Sequence, residues 1–156
     1  MILFLIIAFY LDGLLSNMFI VSSYLYPLCF LLSLVLIYPS FKKSELSKYY
    51  LISLIMGLLY DIVYTNTLFI NFIIFFLIAI LIKNIYNLVS NNYLSLILIS
   101  FLVIVIYRTS TYLILSIINY KFLSIDLLFN SFYSSIIINF IYITILYLLL
   151  PKKKPT

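Results

Sequence analysis

Charged side chains, histidine, tryptophan and cysteine are scarce or absent in this sequence, and each absence narrows what the protein can be. Only 8% of the 156 residues are charged and 67% are hydrophobic, whereas a soluble domain carries about 25% charged residues. There is no histidine, and the four acidic residues are scattered, so the usual spacings of metal ligands are missing. The single cysteine, Cys29, excludes an internal disulfide framework and is interpreted as a buried bystander. The composition indicates a protein that meets lipid over most of its surface.

Apolar runs separated by short polar breaks predict six membrane-spanning helices. A span needs about 20 apolar residues, and a helix satisfies every backbone group of such a run within lipid. We therefore predict an all-α integral membrane protein in which residues 1–156 form one membrane-embedded domain. The predicted spans are 2–19, 23–38, 49–65, 67–83, 93–117 and 128–150. The first run has no basic leader and no small-residue cleavage site, so we expect it to be retained as a span.

The lysines predict how the chain is oriented. With six alternating spans, seven lysines fall on one side of the membrane: Lys42, Lys43, Lys48, Lys83, Lys152, Lys153 and Lys154. Only Lys121 falls on the other side. Basic loops stay in the cytoplasm, so both termini are expected there, and membrane lipids are expected to contact the basic ends.

Three ionisable side chains lie inside predicted spans, namely Asp12, Asp61 and Arg108. Charges at that depth usually face the interior of a helix bundle or a wet cavity. At 1.5 Å per residue, all three come out about 16–23 Å from the cytoplasmic helix ends. The sequence therefore predicts an ionic cluster in the outer half of the membrane, with Arg108 bridging both carboxylates through its planar guanidinium.

Small and polar residues recur every four positions around these charges. The third predicted span carries the row Ser53, Gly57, Asp61 and Thr65; the first carries Ala8, Asp12 and Ser16; the sixth carries Ser131, Ser135 and Asn139. Residues four apart share a helix face, and such faces let helices approach closely and hydrogen-bond. We expect Asp61 to contact Asn71 across a short turn near Asn66. We also expect tyrosines at the outer level, Tyr60, Tyr64, Tyr107 and Tyr112, to hydrogen-bond the charged groups.

These residues leave three interpretations open. They hold the helices together, they line a ligand-binding or proton-handling cavity, or they form a polar face for a partner within the membrane. Catalysis is not expected, because two aspartates with a compensating arginine resemble a neutralised pair rather than an acid–base dyad. No glycine-rich phosphate loop or nucleophile elbow is present, so no cofactor and no nucleic acid are expected.

The segment ISLIMGLLYDIVYTNTLFINFIIFFLIAILIKNIYN, residues 52–87, resembles the central signature of the bacterial rod shape-determining protein family MreD. In that family a G-x-L-Y-D-like segment ends a span, followed by a short outer turn and another apolar span closed by a basic residue. The match rests on Gly57, Leu59, Tyr60, Asp61, Tyr64 and Thr65. The family often has a glycine in the turn, where this chain reads TNTLFIN.

The resemblance implies a non-enzymatic subunit of the cell-elongation machinery in the bacterial cytoplasmic membrane. It implies association with a bitopic membrane protein of the MreC type, and links to RodA, its penicillin-binding transpeptidase and MreB. It also implies a fold similar to the substrate-binding subunits of energy-coupling-factor vitamin transporters.

That kinship makes a vitamin-binding transporter subunit the alternative. Such subunits commonly present an A-x-x-x-A patch on the first span and carry tryptophans in outer loops. Here the first predicted span has one alanine, and the chain has no tryptophan, which favours the MreD-like interpretation.

Overall fold

Six α-helices make up most of the chain in the computed structural model, which describes residues 2–18, 27–65, 67, 69–89, 92–117 and 125–149. The described residues contain no β-strand, which confirms the predicted all-α class. The helices are α1 (Ile2–Met18), α2 (Cys29–Ile37), α3 (Leu46–Tyr60), α4 (Ile70–Tyr86), α5 (Tyr93–Ile117) and α6 (Ile125–Leu149). Short 3-10 turns at Tyr38–Ser40 and Lys43–Glu45 join α2 to α3, and a π-helical turn at Asp61–Thr65 continues α3.

The helix bounds differ from the predicted spans most at α2 and at both ends of α4, and α3 and α6 each begin three residues earlier than predicted. In α2 the regular helix begins at Cys29, and residues 19–26 lie outside the described part of the chain. In α4 the helix is shifted about one turn along the chain, to Ile70–Tyr86. Phe69 has φ 63°, a left-handed conformation from which a right-handed helix cannot extend backwards. At the other end the helix continues past Lys83, because a polar side chain does not by itself stop a helix.

Helix α2 forms the centre of the bundle. All nine of its residues are buried, and it packs against each of the other five helices. The other helices turn large apolar side chains outward, among them Leu3, Ile62 and Leu98. This arrangement suits a lipid environment, where outward apolar side chains carry no hydration cost.

Among the described residues, two helical stretches are long and apolar enough to cross a membrane by themselves. These are Lys43–Thr65 and Tyr93–Ile114. Four shorter apolar helical stretches accompany them, at Leu3–Asn17, Cys29–Ser40, Ile70–Tyr86 and Ser135–Leu148. Length and composition therefore support membrane insertion most directly for α3 and α5.

The buried C-terminal end of α2 is completed by side chains from two other helices. Pro39 has no N–H group, so the Val35 carbonyl cannot receive its usual bond from four residues ahead. The Tyr86 hydroxyl of α4 donates to this carbonyl oxygen instead, at 3.3 Å. The Leu34 carbonyl oxygen accepts the Tyr38 N–H, and the Tyr49 hydroxyl of α3 is its second donor, also at 3.3 Å. A helix end buried in a membrane bundle requires such partners.

Replacing Tyr86 with Phe should lower the free energy of unfolding by about 1 kcal/mol, because the carbonyl of the buried residue Val35 loses its donor. Thermal unfolding in detergent or nanodiscs measures the change. The matched control is Tyr50→Phe, because the Tyr50 ring packs on Phe76 and its hydroxyl caps no carbonyl in the described residues. Equal melting temperatures for the two variants would contradict the capping role of Tyr86.

Candidate functional site

The Asp61 carboxylate lies at the start of α4 and accepts hydrogen bonds from its first turn. The Asn71 N–H and the Asn71 side-chain amide donate to Asp61 Oδ1 at 3.0 and 2.9 Å. The Phe72 N–H donates to Oδ2 at 2.9 Å, and the Thr67 hydroxyl donates to Oδ1 at 2.6 Å. Phe69, the residue before α4, offers no side-chain cap. Asp61 therefore supplies from α3 the N-terminal cap that α4 lacks, and the helix dipole stabilises its negative charge.

Gly57 makes this cap possible, because it lets α3 and α4 come into backbone contact. A Cβ atom at Gly57 would lie 2.6 Å from the Asn71 carbonyl oxygen and 2.7 Å from Phe72 Cα. Both distances are too short for real atoms, and both involve backbone that has no freedom to rotate away. Ser53, Gly57 and Asp61 are all buried on this face. The spacing of four between Gly57 and Asp61 places the close approach and the cap on the same side of α3.

Asp12 caps α2 in the same way. The Cys29 N–H donates to Asp12 Oδ1 at 2.7 Å, and the Phe30 N–H donates to Oδ2 at 2.9 Å. One residue earlier, the Leu28 N–H donates to Asn139 Oδ1 of α6 at 2.7 Å. Asp12 is 2% exposed and Asn139 is fully buried. Three consecutive N–H groups at the start of the central helix are thus satisfied by α1 and α6.

Arg108 makes no direct ion pair with either carboxylate, contrary to the expected ionic bridge. All three side chains are described, and neither Asp12 nor Asp61 lies within ion-pair distance of Arg108. The Arg108 Nε and Nη2 groups instead donate to Ser135 Oγ of α6, at 2.9 and 2.6 Å. The physical reason is that each carboxylate already accepts directed N–H groups from a helix N-terminus, which carry partial positive charge.

Tyr107 and Tyr64 extend the hydrogen bonding to α5 and α1. The Tyr107 hydroxyl donates to Asn71 Oδ1 at 2.9 Å, so α5 is linked to the group that contacts Asp61. The Tyr64 hydroxyl donates to the Phe9 carbonyl of α1 and lies over Gly13, where a Cβ atom would be 2.8 Å from it. Tyr64 thus bonds to backbone rather than to a charged group. Tyr60 packs its ring against Phe75 and Tyr64, at centroid distances of 5.5 and 5.1 Å.

Together these side chains form a polar belt that touches every helix of the bundle. We define the polar belt as Asp12, Asp61, Asn71, Tyr107, Arg108, Ser135 and Asn139. The sequence singled out all seven of these residues, and the expected contact between Asp61 and Asn71 is present. It did not identify Thr67, and it did not show that both aspartates cap neighbouring helices. Ser131, expected in the same row as Ser135 and Asn139, has a side chain outside the described set.

The chemistry of the polar belt is that of a structural network. Each Asp12 oxygen accepts a backbone N–H group, and Asp61 accepts two backbone N–H groups and three side-chain donors. Both carboxylates are therefore engaged in joining one helix to another. Among the described residues, no group of three His, Cys, Asp or Glu side chains is placed to hold a metal ion. The geometry favours the interpretation in which these residues hold the helices together.

Replacing Gly57 with Ala should lower the free energy of unfolding by at least about 2 kcal/mol, because the added methyl group forces α3 and α4 apart and pulls Asp61 from its donors. Thermal unfolding is again the measurement. Gly13→Ala is the matched control, since its new methyl group meets only the flexible Tyr64 side chain and should cost about 1 kcal/mol or less. A larger loss of stability in Gly13→Ala than in Gly57→Ala would contradict the close approach of α3 and α4 at Gly57.

Replacing Asp61 with Ala should also cost at least about 2 kcal/mol, because several buried donors lose their acceptor. In double-mutant cycles, Asp61→Ala should couple to Asn71→Ala by about 1 kcal/mol or more, and to Arg108→Ala by less than about 0.5 kcal/mol. Asp126→Ala, which removes an exposed carboxylate from α6, is the control and should change stability by less than about 0.5 kcal/mol. A coupling energy of Asp61 that is larger with Arg108 than with Asn71 would contradict the capping role and support the ionic cluster.

Comparison with known proteins assigns the chain to a family. The family model described as rod shape-determining protein MreD matches residues 1–152. The chain has no significant match among curated proteins or solved structures. The family match extends the resemblance from residues 52–87 to nearly the whole chain and includes every residue of the polar belt. The chain therefore belongs to the MreD family of rod shape-determining membrane proteins.

Proposed function

We propose that this chain is a non-enzymatic subunit of the bacterial cell-elongation machinery, which binds and positions a bitopic membrane protein of the MreC type. The observation that carries the proposal is the MreD family match over residues 1–152. RodA, the penicillin-binding transpeptidase and MreB are the further partners that we propose, together with membrane lipids. The same match does not support the vitamin-transporter alternative.

The proposal includes the topology. The chain forms one domain of six spans in the cytoplasmic membrane, with both termini in the cytoplasm and a fold similar to energy-coupling-factor substrate-binding subunits. Seven lysines against one support this orientation. The polar connection between α2 and α3 then faces the cytoplasm, and the Asp61–Thr65 turn lies towards the outer side.

The geometry of the polar belt supports a scaffolding role. Its carboxylates and amides form hydrogen bonds that join the helices to one another. The outward faces of α1, α3, α4, α5 and α6 are largely apolar. A bundle that keeps these polar groups inside presents apolar faces to its surroundings, which suits the positioning of partner helices.

Co-purification with an MreC-type protein tests the proposal. The two chains are co-expressed, one is tagged, and the complex is extracted into nanodiscs. We expect the partners to be retained together in fixed stoichiometry through size-exclusion chromatography. Asp126→Ala should associate as the unaltered chain does, whereas Gly57→Ala should reduce association in proportion to its loss of folded protein. A folded chain that does not associate, but is stabilised by a vitamin in thermal unfolding, would contradict the proposal.

A further inference from the structure

All four lysines in the described part of the chain lie at one end of the bundle. Lys42 and Lys43 belong to the connection between α2 and α3, Lys48 to the first turn of α3, and Lys83 to the last turn of α4. Glu45 is the single carboxylate among the described residues at that end. Three positive charges are therefore in excess there.

The pairing of α3 with α4 brings Lys83 to the level of the other lysines. The two helices meet at Gly57 and Phe72. Eleven residues separate Phe72 from Lys83, and eleven separate Gly57 from Leu46 at the start of α3. At 1.5 Å per residue both distances are about 16 Å. Lys83 is therefore level with the start of α3 and with the connection that precedes it.

The connection that carries Lys42 and Lys43 has a defined conformation. The Glu45 N–H donates to the Lys42 carbonyl oxygen at 2.8 Å. The Tyr38 ring stacks on the Tyr86 ring at a centroid distance of 5.0 Å, which joins the connection to the end of α4. The lysines of the connection and of α4 are thus held at one place on the bundle.

One of the four lysines is paired with a carboxylate. Lys48 Nζ lies 3.3 Å from Glu45 Oε1. The other three, which we name the basic end, are Lys42, Lys43 and Lys83, and they form no ion pair within the ranges that the structure describes. Lys42 and Lys43 are exposed, whereas Lys83 is half-buried. A lysine in the last turn of a spanning helix extends its stem along apolar surface and places its ammonium group at the level of the headgroups.

Aliphatic side chains are exposed beside the basic end and outside the spanning helices. Leu88 follows α4 and is 86% exposed, and its neighbour Val89 is also exposed. The N–H groups of both residues donate to the Ile85 carbonyl oxygen, at 2.9 and 3.1 Å, so the chain is folded at this point. A free phosphate or an acidic peptide satisfies the lysines but offers nothing apolar to Leu88. A phospholipid offers a phosphate to the ammonium groups and acyl chains to the leucine.

We propose that the basic end binds the phosphate headgroup of an anionic phospholipid. This inference rests on the proposed function, in which membrane lipids are partners, and it names the charge of the lipid and the residues that hold it. The headgroup lies between the α2–α3 connection and the C-terminal end of α4. The acyl chains lie beside Leu88 and Val89.

Lipid titrations on the purified chain test the proposal. Dissociation constants for phosphatidylglycerol and phosphatidylcholine with identical acyl chains are measured in neutral detergent by microscale thermophoresis. We expect phosphatidylglycerol to bind at least tenfold more tightly at low salt. The preference should shrink as salt is added, because salt screens exposed charges. Equal affinity for the two lipids would overturn the proposal.

Charge variants locate the site. The double variant Lys42→Gln, Lys43→Gln should weaken binding of phosphatidylglycerol by tenfold or more, and Lys83→Gln by about fivefold. Glu45→Gln removes the opposing carboxylate and should tighten binding by about threefold. Asp126→Asn is the matched control, because it adds the same charge at the opposite end of the bundle and should leave the affinity unchanged. Equal effects of Glu45→Gln and Asp126→Asn would overturn a local site. Melting temperatures without lipid confirm that each variant is folded.

Competitors identify the source of the negative charge. Neither inorganic phosphate nor a polyglutamate peptide, at the concentration of the lipid, should displace phosphatidylglycerol. Displacement by phosphate would indicate a free-phosphate site, and displacement by the peptide would indicate an acidic protein segment. Either result would overturn the assignment to lipid. Leu88→Ser should weaken binding of both lipids by about threefold, because it removes an apolar contact.

Failure of this proposal is distinguishable from failure of the proposed function. If the unaltered chain shows no preference for phosphatidylglycerol but still co-purifies with the MreC-type protein, the lipid site alone is overturned. If the chain prefers phosphatidylglycerol as expected but does not associate with that protein, the proposed function is contradicted and the lipid site stands.

Discussion

Satisfying the buried N-terminal ends of α2 and α4 is the constraint on which the rest of the structure depends. The first N–H groups of a helix have no partners within that helix, and in a membrane bundle water does not supply them. Asp12 caps the N-terminus of α2 and Asp61 caps that of α4, and each carboxylate accepts two consecutive N–H groups. A carboxylate is costly in lipid but is stabilised beside a helix N-terminus. A buried carboxylate and an unsatisfied helix N-terminus are each unfavourable in lipid. Here each stabilises the other, once at α2 and once at α4.

The G-x-x-x-D spacing of Gly57 and Asp61 follows from this constraint. Asp61 reaches the N–H groups of Asn71 and Phe72 only if α4 lies directly against α3, and Gly57 is where the two backbones meet. The left-handed residue Phe69 turns the chain sharply enough to start α4 at that point. The motif in residues 52–87 that first indicated the MreD family is therefore the segment that builds the hairpin of α3 and α4.

The two ends of α2 depend on side chains from the surrounding helices. The central α2 is completed at one end by Asp12 and Asn139 and at the other by Tyr49 and Tyr86. These side chains come from α1, α6, α3 and α4, so a change in one helix alters the satisfaction of backbone groups in another. The outer faces of a bundle joined in this way are left largely apolar, which agrees with its membership of a family of shape-determining membrane proteins.

The sequence by itself determined the membrane class, the helical fold and the inward direction of the polar side chains, because hydropathy and helical period are local properties of the chain. It also placed Asp61 beside Asn71, since a short turn leaves few alternatives. The tertiary structure decided which groups pair: Asp12 with the start of α2, Arg108 with Ser135, and Asn139 with Leu28. Equal depth in the membrane was a poor guide to these pairs. A hydrogen bond extends about 3 Å, so it depends on which helices are neighbours and where each begins, and both are set by packing around α2.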